Sequence, residues 1–126
     1  MKAIFRAAGV AALVTASVAS GITAASAAPS CPTARVCLYD NYWFTGTQRT
    51  FGWVTSNVGP DANDKASSLV VGPAADSRSP YVYFYQDANY EGYKLIYRGG
   101  NANNDLRNER MYAGWNWDDE ISSVWG

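Results

Sequence analysis

The sequence predicts an all-β fold built from two similar units, and three observations lead to it. Short β-branched and aromatic runs alternate with Gly, Pro, Asn and Asp, the residues that make turns. Beyond residue 27 no stretch joins a helical apolar period to capping residues; the nearest is 103–111, expected to form at most one short helix. Two signatures also occur twice in the same order, so the chain reads as an internal tandem.

The first element is not expected in the folded protein. Lys2 and Arg6 precede an apolar run over residues 7–14, and Ala25-Ser26-Ala27 offers the small residues of a cleavage site. That is the pattern of an export signal, 1–27, and its polar dilution argues against a membrane span. The folded domain is then 28–126, and losing Lys2 and Arg6 leaves 8 basic residues against 11 acidic, a net charge of −3. Mild acidity argues against nucleic acid as the main partner, and no other apolar stretch is long enough to span a membrane. A monomer is expected.

Cys31 and Cys37 are the only cysteines. In an exported chain the two are expected to bridge, closing a small loop that contributes about 2–3 kcal/mol on the loop-entropy account. A redox or metal-binding pair would want Cys-x-x-Cys spacing or a histidine, and there is no histidine at all.

Strands are expected at 36–39, 49–53, 67–71, 81–86, 93–98 and 121–125. In Tyr81-Val82-Tyr83-Phe84-Tyr85 every position is aromatic or β-branched, as in a strand covered on both faces. Two units too small to hold separate cores should pack face to face. The five tryptophans, Trp43, Trp53, Trp115, Trp117 and Trp125, are then expected to fill core and corners rather than form a carbohydrate platform.

The first repeated signature is Tyr39-Asp40-Asn41-Tyr42-Trp43-Phe44-Thr45-Gly46, matched by Tyr85-Gln86-Asp87-Ala88-Asn89-Tyr90-Glu91-Gly92. Both read aromatic-x4-aromatic-x-Gly, and they lie 46 residues apart, from Tyr39 to Tyr85. The second is Asn63-Asp64-Lys65-Ala66-Ser67-Ser68, matched by Asp118-Asp119-Glu120-Ile121-Ser122-Ser123 at an offset of 55. The second unit therefore carries nine extra residues, placed within 98–114 and expected to bury few side chains. Each acidic-Ser loop is rich in hard oxygen donors, the kind Ca²⁺ takes at six to eight positions. Read alone, either loop is also an ordinary turn in which Asp and Ser tie down the backbone.

The paired order of these signatures resembles the βγ-crystallin superfamily. The aromatic corners look like those of its Greek-key motifs, and the loops look like its calcium double clamp. The resemblance implies a βγ-crystallin-like β-sandwich, with one Greek key over about 35–72 and the other over about 80–126. The export signal, the early cysteine pair and Val36-Cys37-Leu38-Tyr39 make the chain similar to the secreted bacterial peptidase inhibitors that share this fold. The resemblance also implies two Ca²⁺ sites. Site one takes the Lys65 and Asp40 carbonyls, the Ser67 hydroxyl and the Asp119 carboxylate. Site two takes the Glu120 and Gln86 carbonyls, the Ser122 hydroxyl and the Asp64 carboxylate. One carboxylate per ion gives modest affinity, on the order of 10⁻⁴–10⁻³ M or somewhat tighter.

An enzyme is not expected. Without histidine there is no Ser-His or Cys-His pair, and neighbouring acids in one turn do not flank a glycosidic bond. The partner expected from the resemblance is an extracellular protease, met by a rigid loop at 54–62, 72–80 or 98–114. The rival reading is a non-inhibitory calcium-binding module of stress, cell-surface or toxin-like type.

Overall fold

A computed structural model describes residues 27–76 and 80–126. The expected export signal lies outside them, apart from its last residue. The strands are β1 (Arg35–Asn41), β2 (Thr45–Gly52), β3 (Val54–Thr55), β4 (Ser68–Val71), β5 (Tyr81–Asp87), β6 (Glu91–Arg98), β7 (Ala102–Asn103) and β8 (Ser123–Trp125). They form two antiparallel four-stranded sheets, ordered β2-β1-β4-β7 and β3-β8-β5-β6. Among the described residues the only helical pieces are three-residue 3₁₀ turns at Tyr42–Phe44, Ala88–Tyr90 and Leu106–Asn108. The fold is all-β, as expected, and no helix of the described residues is long and apolar enough to cross a membrane.

Face-to-face packing follows the period-two alternation of the strands. Val36, Leu38, Leu69 and Val71 face inward from the first sheet, and Val82, Phe84 and Val124 face them from the second. The repeat offsets relate these residues in pairs: Val36 with Val82, Leu38 with Phe84, Leu69 with Val124. Where the repeat places Ala62 in one loop it places Trp117 in the other, and both are buried in the same core.

Each sheet takes three strands from one unit and its edge strand from the other. β3, from the first unit, pairs with β8, while β7, from the second, pairs with β4. The extra residues of the second unit divide around this exchange. The offset is 46 at the corners, 48 from Val54 to Ala102 and 55 at the acidic loops, so two residues precede β7 and seven follow it. Few side chains of 98–114 are buried, as expected, and Leu106 is the exception that pins the segment to the core. Leu106 is fully buried, Met111 packs against the core, and the Leu106 N–H donates to the Ser67 carbonyl at 2.9 Å.

The outer faces of the two sheets differ. On the first, the Cys31–Cys37 disulfide (Cα–Cα 6.0 Å) brings the start of the domain down onto the sheet. Cys31, Cys37, Tyr39 and Val70 form a second small core there, with Phe44 and Ala102 at its margin. On the second, the matching cross-strand row Ile96–Tyr83–Trp125–Val54 has no such cover, and Ile96, Trp125 and Val54 are exposed. Thus Tyr81–Tyr85 is not covered on both faces: only Val82 and Phe84 are buried, and the tyrosines point outward. The tryptophans also divide. Trp53 and Trp117 are in the core, whereas Trp43, Trp115 and Trp125 are 61%, 52% and 47% exposed. The expectation of core and corner filling thus holds for the core pair, while Trp43 sits exposed on its corner, Trp115 stacks on Tyr112 and Trp125 lies on the uncovered face of the second sheet.

Candidate functional site

The corners and the acidic loops meet at one end of the sandwich. Each corner is a tight 3₁₀ turn with two successive residues in the left-handed region: Trp43 (φ 61°) and Phe44 (φ 60°), then Asn89 (φ 61°) and Tyr90 (φ 63°). The glycine that closes each signature is needed sterically. A Cβ on Gly46 would meet the Asn41 side chain at 2.8 Å, and one on Gly92 would meet Asp87 Oδ2 at 2.8 Å. The flanking rings pack edge to face, Tyr39 with Phe44 at 5.8 Å and Tyr85 with Tyr90 at 6.0 Å between centroids.

The second serine of each loop anchors its corner. Ser68 Oγ donates to the Asn41 carbonyl at 2.7 Å and accepts from the Phe44 N–H at 3.1 Å. Ser123 Oγ does the same with the Asp87 carbonyl (2.6 Å) and the Tyr90 N–H (3.1 Å). Both serines are fully buried. The motif pointed to the first serine of each pair as a ligand and left the second without a role.

The first serines and second acids sit across from one another. Ser67 Oγ donates to Asp119 Oδ1 at 3.4 Å, and Ser122 Oγ donates to Asp64 Oδ1 at 3.2 Å. Reciprocal backbone bonds fix the crossing: Asp64 N–H to the Ile121 carbonyl (3.1 Å) and Asp119 N–H to the Ala66 carbonyl (2.9 Å). The Ser67 and Ser122 N–H groups in turn reach the Tyr39 and Tyr85 carbonyls, at 2.8 and 2.9 Å, which ties each loop to its corner strand. Asp64 and Asp119 both have left-handed backbones, at φ 56° and 60°. The structure therefore brings together the oxygen-bearing side chains that the sequence grouped, each acid beside the serine of the other loop.

The remaining named residues lie around these pairs. The Asp40 carboxylate is engaged by Arg49, and Gln86 Nε2 donates to Glu120 Oε1 at 3.4 Å. Lys65 is exposed on the first loop. Burial holds the Asp119 carboxyl above its ordinary range, and Asp118, Glu120 and Asp40 add to this against the Ser67 hydroxyl bond. Glu120 is likewise raised by burial, with Asp64, Asp118 and Asp87 nearby. Asp118 itself was not singled out as a site residue. Its Oδ2 accepts from Tyr42 Oη at 2.7 Å, while its buried Oδ1 finds no donor among the described residues. An open depression bounded by Asn57, Asn63, Asp64, Gln86 and Ser122 gives solvent access beside the second pair. No group of three or more carboxylate, imidazole or thiolate side chains placed to hold a metal occurs among the described residues. A site of one carboxylate, one hydroxyl and backbone carbonyls would not contain such a group.

Two facing sheets with exchanged edge strands, paired aromatic corners and crossed acidic-Ser loops define a βγ-crystallin-like domain, and solved structures agree. A structure from work on the evolution of the eye-lens βγ-crystallin domain fold is 21% identical, with a TM-score of 0.60, covering 79% of this chain and 90% of that one. A βγ-crystallin from an archaeon is 26% identical over 73% of this chain and 95% of its own, with a TM-score of 0.56. One from Ciona intestinalis is 22% identical, with a TM-score of 0.53, covering 72% of this chain and 96% of that one. Residues 24–96 match the family model of peptidase inhibitor family I36, and the chain belongs to that family. A search of curated proteins gave no match.

Proposed function

We propose that this protein is an exported inhibitor of an extracellular protease, and that two calcium ions brace its fold at the crossed loops. Membership of an inhibitor family over more than half the chain supports the first part. The observation that carries the second is the reciprocal pairing of Ser67 with Asp119 and Ser122 with Asp64. Each pair sets a hydroxyl and a carboxylate oxygen from different loops at one point, and hard oxygens of this kind suit Ca²⁺. The raised Asp119 and Glu120 carboxyls and the lone buried Asp118 Oδ1 fit a region that a cation would relieve.

At site one the Asp119 carboxylate, the Ser67 hydroxyl and the Lys65 and Asp40 carbonyls would hold the ion. At site two the Asp64 carboxylate, the Ser122 hydroxyl and the Glu120 and Gln86 carbonyls would do so. The ion's contribution is structural: it ties the two halves by a bridge neither half supplies alone. Export to an oxidising compartment accords with the Cys31–Cys37 disulfide.

Two measurements test the proposal. Adding millimolar calcium to metal-stripped protein should release heat and raise the melting temperature by several degrees, about 1–2 kcal/mol for a modest site. Magnesium should substitute poorly, because it demands tight octahedral geometry and sheds water reluctantly. No heat and no shift would reduce the loops to turns. Assays against a panel of metallo- and serine proteases, with and without calcium, test inhibition. A calcium response with no inhibition anywhere would favour the non-inhibitory module.

A further inference from the structure

The two corners are superimposable in backbone, which isolates one side chain that the fold does not require. Trp43 (φ 61°, ψ 32°) and Asn89 (φ 61°, ψ 33°) occupy the same left-handed position. Their N–H groups even make matching bonds, Trp43 to the Asn104 carbonyl at 2.7 Å and Asn89 to the Ser56 carbonyl at 2.8 Å. Asn tolerates this region through its short polar side chain, whereas a large side chain there is unfavourable. Trp43 gains nothing local in exchange. Trp43 is 61% exposed, and its indole N–H finds no acceptor among the described residues.

The neighbours of Trp43 are held. Tyr42 is bonded to Asp118, and the Arg107 guanidinium lies over its ring at 3.9 Å. Phe44 is held by Ser68 and packs against Tyr39. The Thr45 hydroxyl closes the turn onto the Tyr42 carbonyl at 2.6 Å. An unpacked indole thus projects from a fixed, strained backbone. Strain of this kind gathers at functional sites, and an indole presented without loss of backbone freedom is the usual form of a binding anchor.

We infer that Trp43 is the anchor through which the protein engages its protease, entering an apolar specificity pocket. This rests on the inhibitor reading above, and it places the contact at the first corner rather than in the long loops at 54–62, 72–80 or 98–114.

The test uses the purified protein against chymotrypsin and thermolysin, whose specificity pockets accept large apolar side chains, and trypsin, whose pocket carries a carboxylate. Wild type should inhibit at least one of the first two. Trp43→Asn, which copies the other corner, should raise the inhibition constant about tenfold or more while melting at the wild-type temperature or above it. Trp43→Phe should keep part of the inhibition, and Trp115→Asn, removing a comparably exposed indole, should leave it intact. If Trp43→Asn inhibits like wild type, or if it melts several degrees lower, the anchor is refuted and the inhibitor reading stands. Inhibition of trypsin alone also refutes the anchor. If wild type inhibits none of the enzymes, reading and anchor fall together.

Discussion

Ser68 and Ser123 each use one hydroxyl in both directions, giving a proton to a corner carbonyl and taking one from a corner N–H. Because both are fully buried, truncation strands two backbone groups away from water. Ser123→Ala should therefore cost about 1–3 kcal/mol in chemical denaturation, more than loss of an exposed hydroxyl. Tyr97 shows the same economy: its hydroxyl donates to Glu109 Oε2 at 2.6 Å and accepts from Asn103 Nδ2 at 2.8 Å. Burial first, then the Glu109 bond, holds this phenol well above its ordinary value. Above about pH 10 the unfolded chain releases that proton while the folded one keeps it. Stability from Tyr97 is thus complete below that pH and declines as pH rises past it. The stability gap between wild type and Tyr97→Phe should narrow accordingly, as denaturation curves from pH 8 to 11 would show. The acids and first serines were legible because spacing repeats them. The second serines were not, since a partner 27 or 36 residues away in sequence leaves no local mark.

At the scale of elements, β7 is the least legible piece of the fold. Ala102-Asn103 has no strand propensity of its own, and pairing with Val70 and Leu69 is what extends it. Leu106 reads as an isolated leucine in a polar loop, yet it is fully buried four residues from Ala102. A register set by long-range pairing has no periodic signature within nine inserted residues. Leu106→Ala should cost about 2–5 kcal/mol, roughly that of a core leucine, measured by thermal or denaturant unfolding. Stability unchanged by the substitution would restore the picture of a loose loop. The strands longer than four residues were recognisable from composition, with ends displaced by at most four residues. What composition could not show was which faces were covered. Aromatic and β-branched residues at every position of Tyr81–Tyr85 look the same whether a layer lies over them or solvent does.

For the whole molecule, the crossing of the loops means that, if calcium binds as proposed, each half completes the other's site. Asp119→Asn should weaken site one, formed largely by the first loop, and Ser67→Ala should weaken it too. The double variant should lose less calcium affinity than the two single losses combined, because both remove one shared interaction. Strictly additive losses in calorimetric titration would show that the residues act separately. The two-unit sandwich was readable because each signature occurs twice in fixed order. The exchange of edge strands was not, because a repeat states what each half resembles and not where its last strand goes.

That exchange bears on how the polypeptide can be divided. With β3 lodged in the second sheet and β7 in the first, neither half has a complete sheet of its own. A backbone cut in the polar connector around 72–80 would yield two fragments, each missing one edge strand that the other holds. Such fragments are natural complements: each is an incomplete template for its counterpart, and reassembly from separate polypeptides would regenerate sheets, core and crossed loops at once. The two units are thus mutually dependent: neither can lose its exchanged strand without opening the sheet of the other.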